Sequence, residues 1–487
     1  MKKAITLLLS LILLIAFSAL LTACDGGTGP QGANGADGAD GVSIIKTEVI
    51  DGYLWITYSN APETPVNVGK VSSDAALHDG SEGLEFYPLS DGTYAVGMGN
   101  AIYLEEIVFP STYNGKPVTR IVSSQSVFAV PNDYRTEIKK ITIPDSIVAI
   151  GDYAFEFCVS ITEIEIPNTV TQIGEKCFYG CSQLKNIVLP NGITEIPAYA
   201  FGNCENLETI SFSSNLEKIG GYAFASCSKL TSISFGSQMK YIGEGAFGGC
   251  HALSKVSVDS LGTWLQIEFE TGTMFIYSDS HSNPLFYAHD LYINNEKLTE
   301  LIIPSGTTKI NAHAFSGCSI QSVTIPASIT TVGDYAFYAC ENLSAVKISN
   351  LSAWCKLSFA FYNDYNATYV SNPLYYAHNL YLDNQLITQL VIPDDVTKIN
   401  EFVFAGANFT SVVMSNNVDE ICRGAFYVCD NLDRVYFEGN GMEWSSITKG
   451  NANVKLTGAT LYTYSVESPT TGGNYWCYDN GIIKIWN

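Results

Sequence analysis

Residues 184–204 read Leu184-Lys185-Asn186-Ile187-Val188-Leu189-Pro190, then Ile193-Thr194-Glu195-Ile196, then Ala200-Phe201-Gly202-Asn203-Cys204. The phenylalanine of this stretch has counterparts at Phe155, Phe178, Phe224 and Phe247, spaced 23 residues apart. Each is followed at +3 by a cysteine: Cys158, Cys181, Cys204, Cys227 and Cys250. A fixed period of this length marks a solenoid of stacked coils. Ile187 and Leu189 share one face of a short strand. Pro190 lacks an N–H, so the strand ends beside it. Ile193 and Ile196 form a second apolar segment. The glycines at Gly174, Gly220 and Gly243, after the equivalent isoleucines, suit a tight corner. Ala-Phe-x-x-Cys then predicts a turn or short 3₁₀ piece that returns the chain inward. One coil alone has nothing to bury its apolar face against, whereas a stack makes one continuous core.

The anchor recurs at Phe315/Cys318, Phe337/Cys340, Phe404/Ala407 and Phe426/Cys429, and Phe128 marks a degenerate early unit. A longer period lies above it. Asn283-Pro284-Leu285-Phe286-Tyr287-Ala288-His289 returns 89 residues later as Asn372-Pro373-Leu374-Tyr375-Tyr376-Ala377-His378. Each long unit carries an insertion, near 259–297 and 349–385, opened by Trp264 and Trp354. Two readings of these insertions stay open. Either they shape a binding face, with Trp264, Tyr287, Trp354, Tyr375 and Tyr376 as ligand contacts, or they extend the core.

The string I-x-I-P-x-x-V-x-x-I-G-x-x-A-F-x-x-C resembles the BspA-type leucine-rich repeat of bacterial surface proteins over residues 104–440. The resemblance implies a β-rich leucine-rich-repeat solenoid of about 23-residue coils, with short strands and 3₁₀ or helical turns. It also implies display at the bacterial cell envelope, where several relatives are associated with adhesion to host matrix or other cells. It carries no catalytic residues over.

The N-terminus agrees with export. Lys2 and Lys3 precede an apolar run, and Leu21-Thr22-Ala23-Cys24 resembles a bacterial lipobox. Residues 1–23 are therefore expected to be a lipoprotein signal peptide, with Cys24 lipidated and the mature chain anchored to the membrane. Glycines every third residue from Gly29 to Gly41 give a collagen-like tether over 24–41. Asp51-Gly52 and Asp91-Gly92 between β-favouring runs predict hairpins and an N-terminal β cap over 42–103. Residues 441–487, with Trp444, Trp476 and Trp486, are read as an aromatic-rich C-terminal cap.

The chain has 48 acidic and 25 basic residues, a formal net charge of −23. That balance argues against nucleic acid, whose phosphates need a basic patch. Eight of the thirteen cysteines share one column (158, 181, 204, 227, 250, 318, 340 and 429), as a packing choice repeats and a disulfide pattern does not. No paired C-x₂-C spacing suggests zinc, and no cofactor motif is found. His289 and His378 duplicate each other, which points to structure rather than catalysis. The chain is read as a non-enzymatic, lipid-anchored surface protein that binds an extracellular protein ligand. The alternatives are an envelope scaffold and a carbohydrate-binding surface protein, the latter suggested by 29 Tyr and 6 Trp. The outward strand residues, such as Thr209/Ser211 and Ser232/Ser234, form a second candidate contact surface.

Overall fold

The computed structural model describes residues 44–50, 53–58, 61–70, 78–123, 136–270, 282–363, 368–470 and 472–486. The expected signal peptide over 1–23, Cys24, the expected tether over 24–41, Asp51-Gly52 with the turn expected there, and Phe128 lie outside these residues. The chain divides into two compact units, 1–77 and 78–487. The hairpin region expected over 42–103 thus falls on both sides of a division.

In the first unit, strands Ile44–Ile50, Tyr53–Tyr58 and Ala61–Lys70 form an antiparallel sheet in sequence order. Its middle strand shifts register twice against the third.

The second unit is a solenoid built as the 23-residue period dictates. Strands Asn186–Val188, Thr209–Ser211, Ser232–Phe235 and Lys255–Val258 stack in parallel, one per coil. Ile187 sits beside Ile210, and Ile233 beside Val256, so the same column faces inward in every coil. A second parallel column holds Glu195–Ile196, Lys218–Ile219 and Tyr241–Ile242. The third side is a ladder of turns. Phe178 N–H donates to the Ala200 carbonyl at 2.9 Å, Phe201 to Ala223 at 2.8 Å and Phe224 to Ala246 at 2.8 Å. Each side therefore satisfies its backbone groups in the neighbouring coil, as a buried chain must.

The turn side demands unusual backbone. Tyr199, Asn203, Tyr222 and Ser226 have φ of 57°, 59°, 56° and 62°. A left-handed residue with a side chain costs about 1–2 kcal/mol, and the inter-coil hydrogen bonds on either side hold it there. Inside, the phenylalanine rings stack: Phe178–Phe201 at 5.2 Å and Phe201–Phe224 at 5.4 Å, within 4° of parallel. One apolar cluster runs from Leu84 to Leu456.

The two insertions are coils of the solenoid, widened. In the first, helix Leu261–Gln266 is capped by Ser260, whose hydroxyl accepts the Thr263 N–H. Strand Glu268–Phe269 then joins the second column beside Tyr241–Ile242. Helix Leu285–Ala288 supplies Leu285 and Ala288 where other coils supply Phe and Cys. Strand Leu291–Ile293 returns to the first column. The second insertion repeats this with helices Leu351–Cys355 and Leu374–Ala377 and strand Leu380–Leu382. Each ends in a two-residue hairpin. Asn294 and Asn295 have φ of 51° and 66°, and Asp383 and Asn384 have 48° and 63°, the backbone of a type I′ turn. The returning strands Glu296–Lys297 and Gln385–Leu386 end their sheets, so from Asn186 onward the first column is cut into sheets of six, five and six strands.

At the near end, strand Tyr94–Gly97 pairs with Glu85–Pro88 and runs parallel to Lys116–Ile121. At the far end, strands Tyr475–Asp479 and Ile482–Trp486 form a hairpin that joins the third sheet through Thr460–Tyr464. Among the described residues no helix is long and apolar enough to cross a membrane.

Candidate binding faces

The five aromatic residues expected to contact a ligand divide into two kinds. Trp264 and Trp354 are 0% and 1% exposed, which corrects the expectation that they face a ligand. The insertion helices turn both indoles inward. Trp264 Nε1 donates to the Ala314 carbonyl at 2.8 Å, and Trp354 Nε1 to the Val403 carbonyl at 3.2 Å. A large apolar ring with one donor gains more from a core that offers a carbonyl than from solvent. Of the two readings of the insertions, core extension describes these tryptophans.

Tyr287, Tyr375 and Tyr376 are half-buried. The Tyr287 hydroxyl accepts the Gly249 N–H at 3.1 Å. Tyr376 takes the backbone of Ala339 in the same way, and burial pushes its phenol above the ordinary range. The Tyr375 ring meets Tyr376 edge-on at 5.4 Å. Its backbone lies against Gly406 (φ +77°), where a Cβ would come within 2.8 Å of the Tyr375 Cα.

Asparagines not singled out in the sequence hold the same corners. Asn372 Nδ2 donates to the carbonyls of Phe402 and Val403, at 2.7 and 3.0 Å, and its Oδ1 accepts the Leu374 N–H. Asn283 bonds His313, Ala314 and Leu285 likewise. Their signal was present in the repeated Asn-Pro-Leu. His289 and His378 end the short helices at φ 59°, and their Nδ1–H groups donate to the carbonyls of Gly317 and Gly406. They are structural, as their duplication suggests.

The outward face of the first strand column is organised by register. Val188 lies beside Ser211, and Ser234 beside Ser257 and then Tyr292. Ile302, Thr324, Lys347 and Tyr381 follow in the second sheet. Val391, Val413, Tyr436 and Tyr462 follow in the third. Val188, Ile302 and Val391 are 67%, 62% and 49% exposed, and each stands in the first strand of its sheet. Val413 and Tyr436 stand in the same column yet are buried, because the C-terminal hairpin seats Trp476 on them. Trp476 Nε1 donates to the Phe437 carbonyl at 3.1 Å, and Tyr478 donates to Glu438 at 3.0 Å.

The second column carries charge. Glu195 pairs with Lys218, and Glu217 with Lys240, each at 2.8 Å across one coil. These pairs are exposed and contribute little individually. Among the described residues no group of three His, Cys, Asp or Glu side chains is placed to hold a metal.

Comparison with known proteins matches residues 133–258, 288–379 and 376–447 to the BspA type leucine rich repeat region, in 6 copies. No curated protein matches the chain. Among solved structures, a leucine rich cell surface protein from Faecalibacterium prausnitzii is 21% identical, over 76% of this chain and 96% of its own, with a TM-score of 0.36. A leucine-rich repeat protein from Bacteroides ovatus is 19% identical, over 79% and 93%, with a TM-score of 0.40. The pneumococcal vaccine antigen PcpA is 17% identical, over 87% and 94%, also at 0.40.

Proposed function

We propose, from the premise that this chain belongs to the BspA-type leucine-rich repeat family, that it is a non-catalytic protein-binding module displayed at the bacterial cell surface. The binding surface is the outward face of the first strand column. One observation carries this reading. The chain's own C-terminal hairpin docks on that face, with Trp476 over Val413 and Tyr436. Val391, one strand away in the same column, is left exposed, as are Ile302 and Val188 further along. An extended partner would find the same combination of exposed β-branched side chains and Ser/Thr hydroxyls. Anchoring through a lipidated Cys24 and a glycine-rich tether is part of the proposal, and rests on Leu21-Thr22-Ala23-Cys24.

The test is an array of extracellular-matrix proteins and glycans probed with residues 24–487 carrying Cys24→Ser. Capture by one or more proteins, abolished by the triple substitution Val188→Ser, Ile302→Ser and Val391→Ser, supports the reading. Capture by glycans alone, or protein capture indifferent to the three substitutions, overturns it. Membrane fractionation of cells expressing Cys24→Ala tests the anchor, and undiminished membrane association rejects it.

A further inference from the structure

The widened coil recurs a third time. Strand Arg434–Phe437, helix Gly441–Ser446, strand Thr448–Lys449 and strand Thr460–Tyr464 follow the order of the two insertions. The first helix of each wide coil is capped by Ser260, Asn350 or Asn440. Four places after each cap stands a tryptophan: Trp264, Trp354 and Trp444, 90 residues apart. Five places further, the first two coils have Phe269 and Phe359, whose rings lie 5.4 Å from the indoles. The third coil has Lys449. The position is the same, because Phe269 sits beside Ile242 in the second column and Lys449 beside Ile421.

In the first two wide coils the next coil covers this helix. The Ala314 and Val403 carbonyls take the indole N–H groups. Asn311 Nδ2 donates to the carbonyls of Leu265 and Ile267, at 3.3 and 2.8 Å. Asn400 donates its N–H to the Cys355 carbonyl at 3.1 Å and its Nδ2 to that of Lys356 at 2.6 Å. These carbonyls end a helix and have no partner within it. Thr448–Lys449 is the last strand of its sheet, and among the described residues no coil stacks beyond it. Trp444 is accordingly half-buried and Met442 is 82% exposed. Met442 holds the place of Ser352, whose hydroxyl donates to Asp395 of the next coil at 2.6 Å.

Lys449 supplies what the next coil supplies elsewhere. Its Nζ lies 4.4 Å from the Trp444 ring, and donates to the Trp444 carbonyl and, at 3.2 Å, to the Ile447 carbonyl. Ile447 is the counterpart of Ile267, whose carbonyl Asn311 serves. Lost solvation pulls the amine below the ordinary lysine range, and the ring and the two carbonyls offset that cost. Neighbouring positions change in the same sense. Leu261 and Leu351 give way to Gly441, and Leu265 and Cys355 to Ser445. We propose that Lys449 is a built-in stop, which closes the far end of the second column against stacking by a second copy of this chain. A phenylalanine in its place would leave, with Trp444 and Met442, an apolar end like the surface that each earlier wide coil presents to its successor. The stop is independent of the binding reading, which uses the outward face of the first column.

The test is sedimentation velocity of residues 24–487 with Cys24→Ser, over a concentration series. The parent and Lys449→Arg should sediment independently of concentration. Lys449→Phe, which restores the residue of the first two wide coils, should associate as concentration rises. Adding Met442→Ser to Lys449→Phe should reverse that association. Lys449→Phe that never associates overturns the proposal. So does association that persists with Met442→Ser, because the contact then lies elsewhere, or a parent that already associates through Met442. Hydrogen exchange keeps the proposal testable should Lys449→Phe fail to fold. In Lys449→Ala the amides of residues 441–449 should exchange about two- to fivefold faster, with the earlier coils unchanged. Unchanged exchange over 441–449 would mean that Lys449 does not close this end.

Discussion

The thiol of Cys204 donates to the backbone carbonyl of Phe178, 26 residues earlier, at 3.2 Å. The bond recurs from Cys181 to Phe155, Cys227 to Phe201, Cys250 to Phe224, Cys340 to Phe315 and Cys429 to Phe404. Each of these six cysteines thus fills a small apolar volume and gives a buried carbonyl a weak donor from the next coil. That double role accounts for the repetition of one residue type down the column. Cys204→Ala should cost about 1–2 kcal/mol, by opening a small cavity and removing the second donor to the Phe178 carbonyl, which keeps the Cys181 N–H at 3.2 Å. Urea denaturation monitored by circular dichroism would measure it.

The same burial sets a pH dependence. Loss of solvation pushes the thiols of Cys204, Cys250, Cys318 and Cys429 from the ordinary 9.0 up to about 12. The unfolded chain releases these protons from about pH 9, while the folded chain holds them to about pH 12. Their stabilising effect is therefore complete below pH 9 and is lost as the pH rises towards 12. The double variant Cys204→Ala and Cys250→Ala should lose stability less steeply than the parent between pH 9 and 11, where other groups titrate equally in both. Thiol labelling of native protein should be slow, and should become extensive after denaturation without reductant.

A solenoid stabilised by its neighbours tolerates loss of a whole coil better than loss of one core ring. Removing residues 179–201 rejoins the ladder in register and should leave one cooperative unfolding transition. Phe201 is fully buried between Phe178 and Phe224, and Phe201→Ala should cost about 3–5 kcal/mol. Calorimetry distinguishes the two outcomes, and a broad, split transition in the coil deletion would contradict the nearest-neighbour account.

Trp354 holds its wide coil against the coil that follows. Trp354→Ala removes a buried ring and the bond to the Val403 carbonyl, so it should cost about 3–5 kcal/mol. Thermal unfolding should detect it. A stability unchanged by this substitution would return the tryptophan to the surface.

Trp476→Ala should uncover Val413 and Tyr436 without opening the main core, because the three form a cluster of their own. Increased binding of a hydrophobic dye, with the unfolding transition of the coils retained, is the expected pair of readings. If dye binding stays at the parent level, the hairpin does not shield the strand face.

The sequence by itself determined the coil. A period of 23 residues, with Ile187 and Leu189 alternating before Pro190 and Phe201 three places before Cys204, admits one way to bury the apolar residues. That solution is local and repeated, so each unit restates the evidence of the last. The two insertions were visible as breaks in the period, but their direction was not. Whether Trp264 faces solvent or core depends on Ala314, 50 residues later, whose carbonyl receives its indole N–H. The outward columns were legible as alternation, whereas the burial of Val413 and Tyr436 depended on a hairpin beyond the repeat. Such features are set by contacts between distant coils, which periodicity does not encode and only the stacked structure decides.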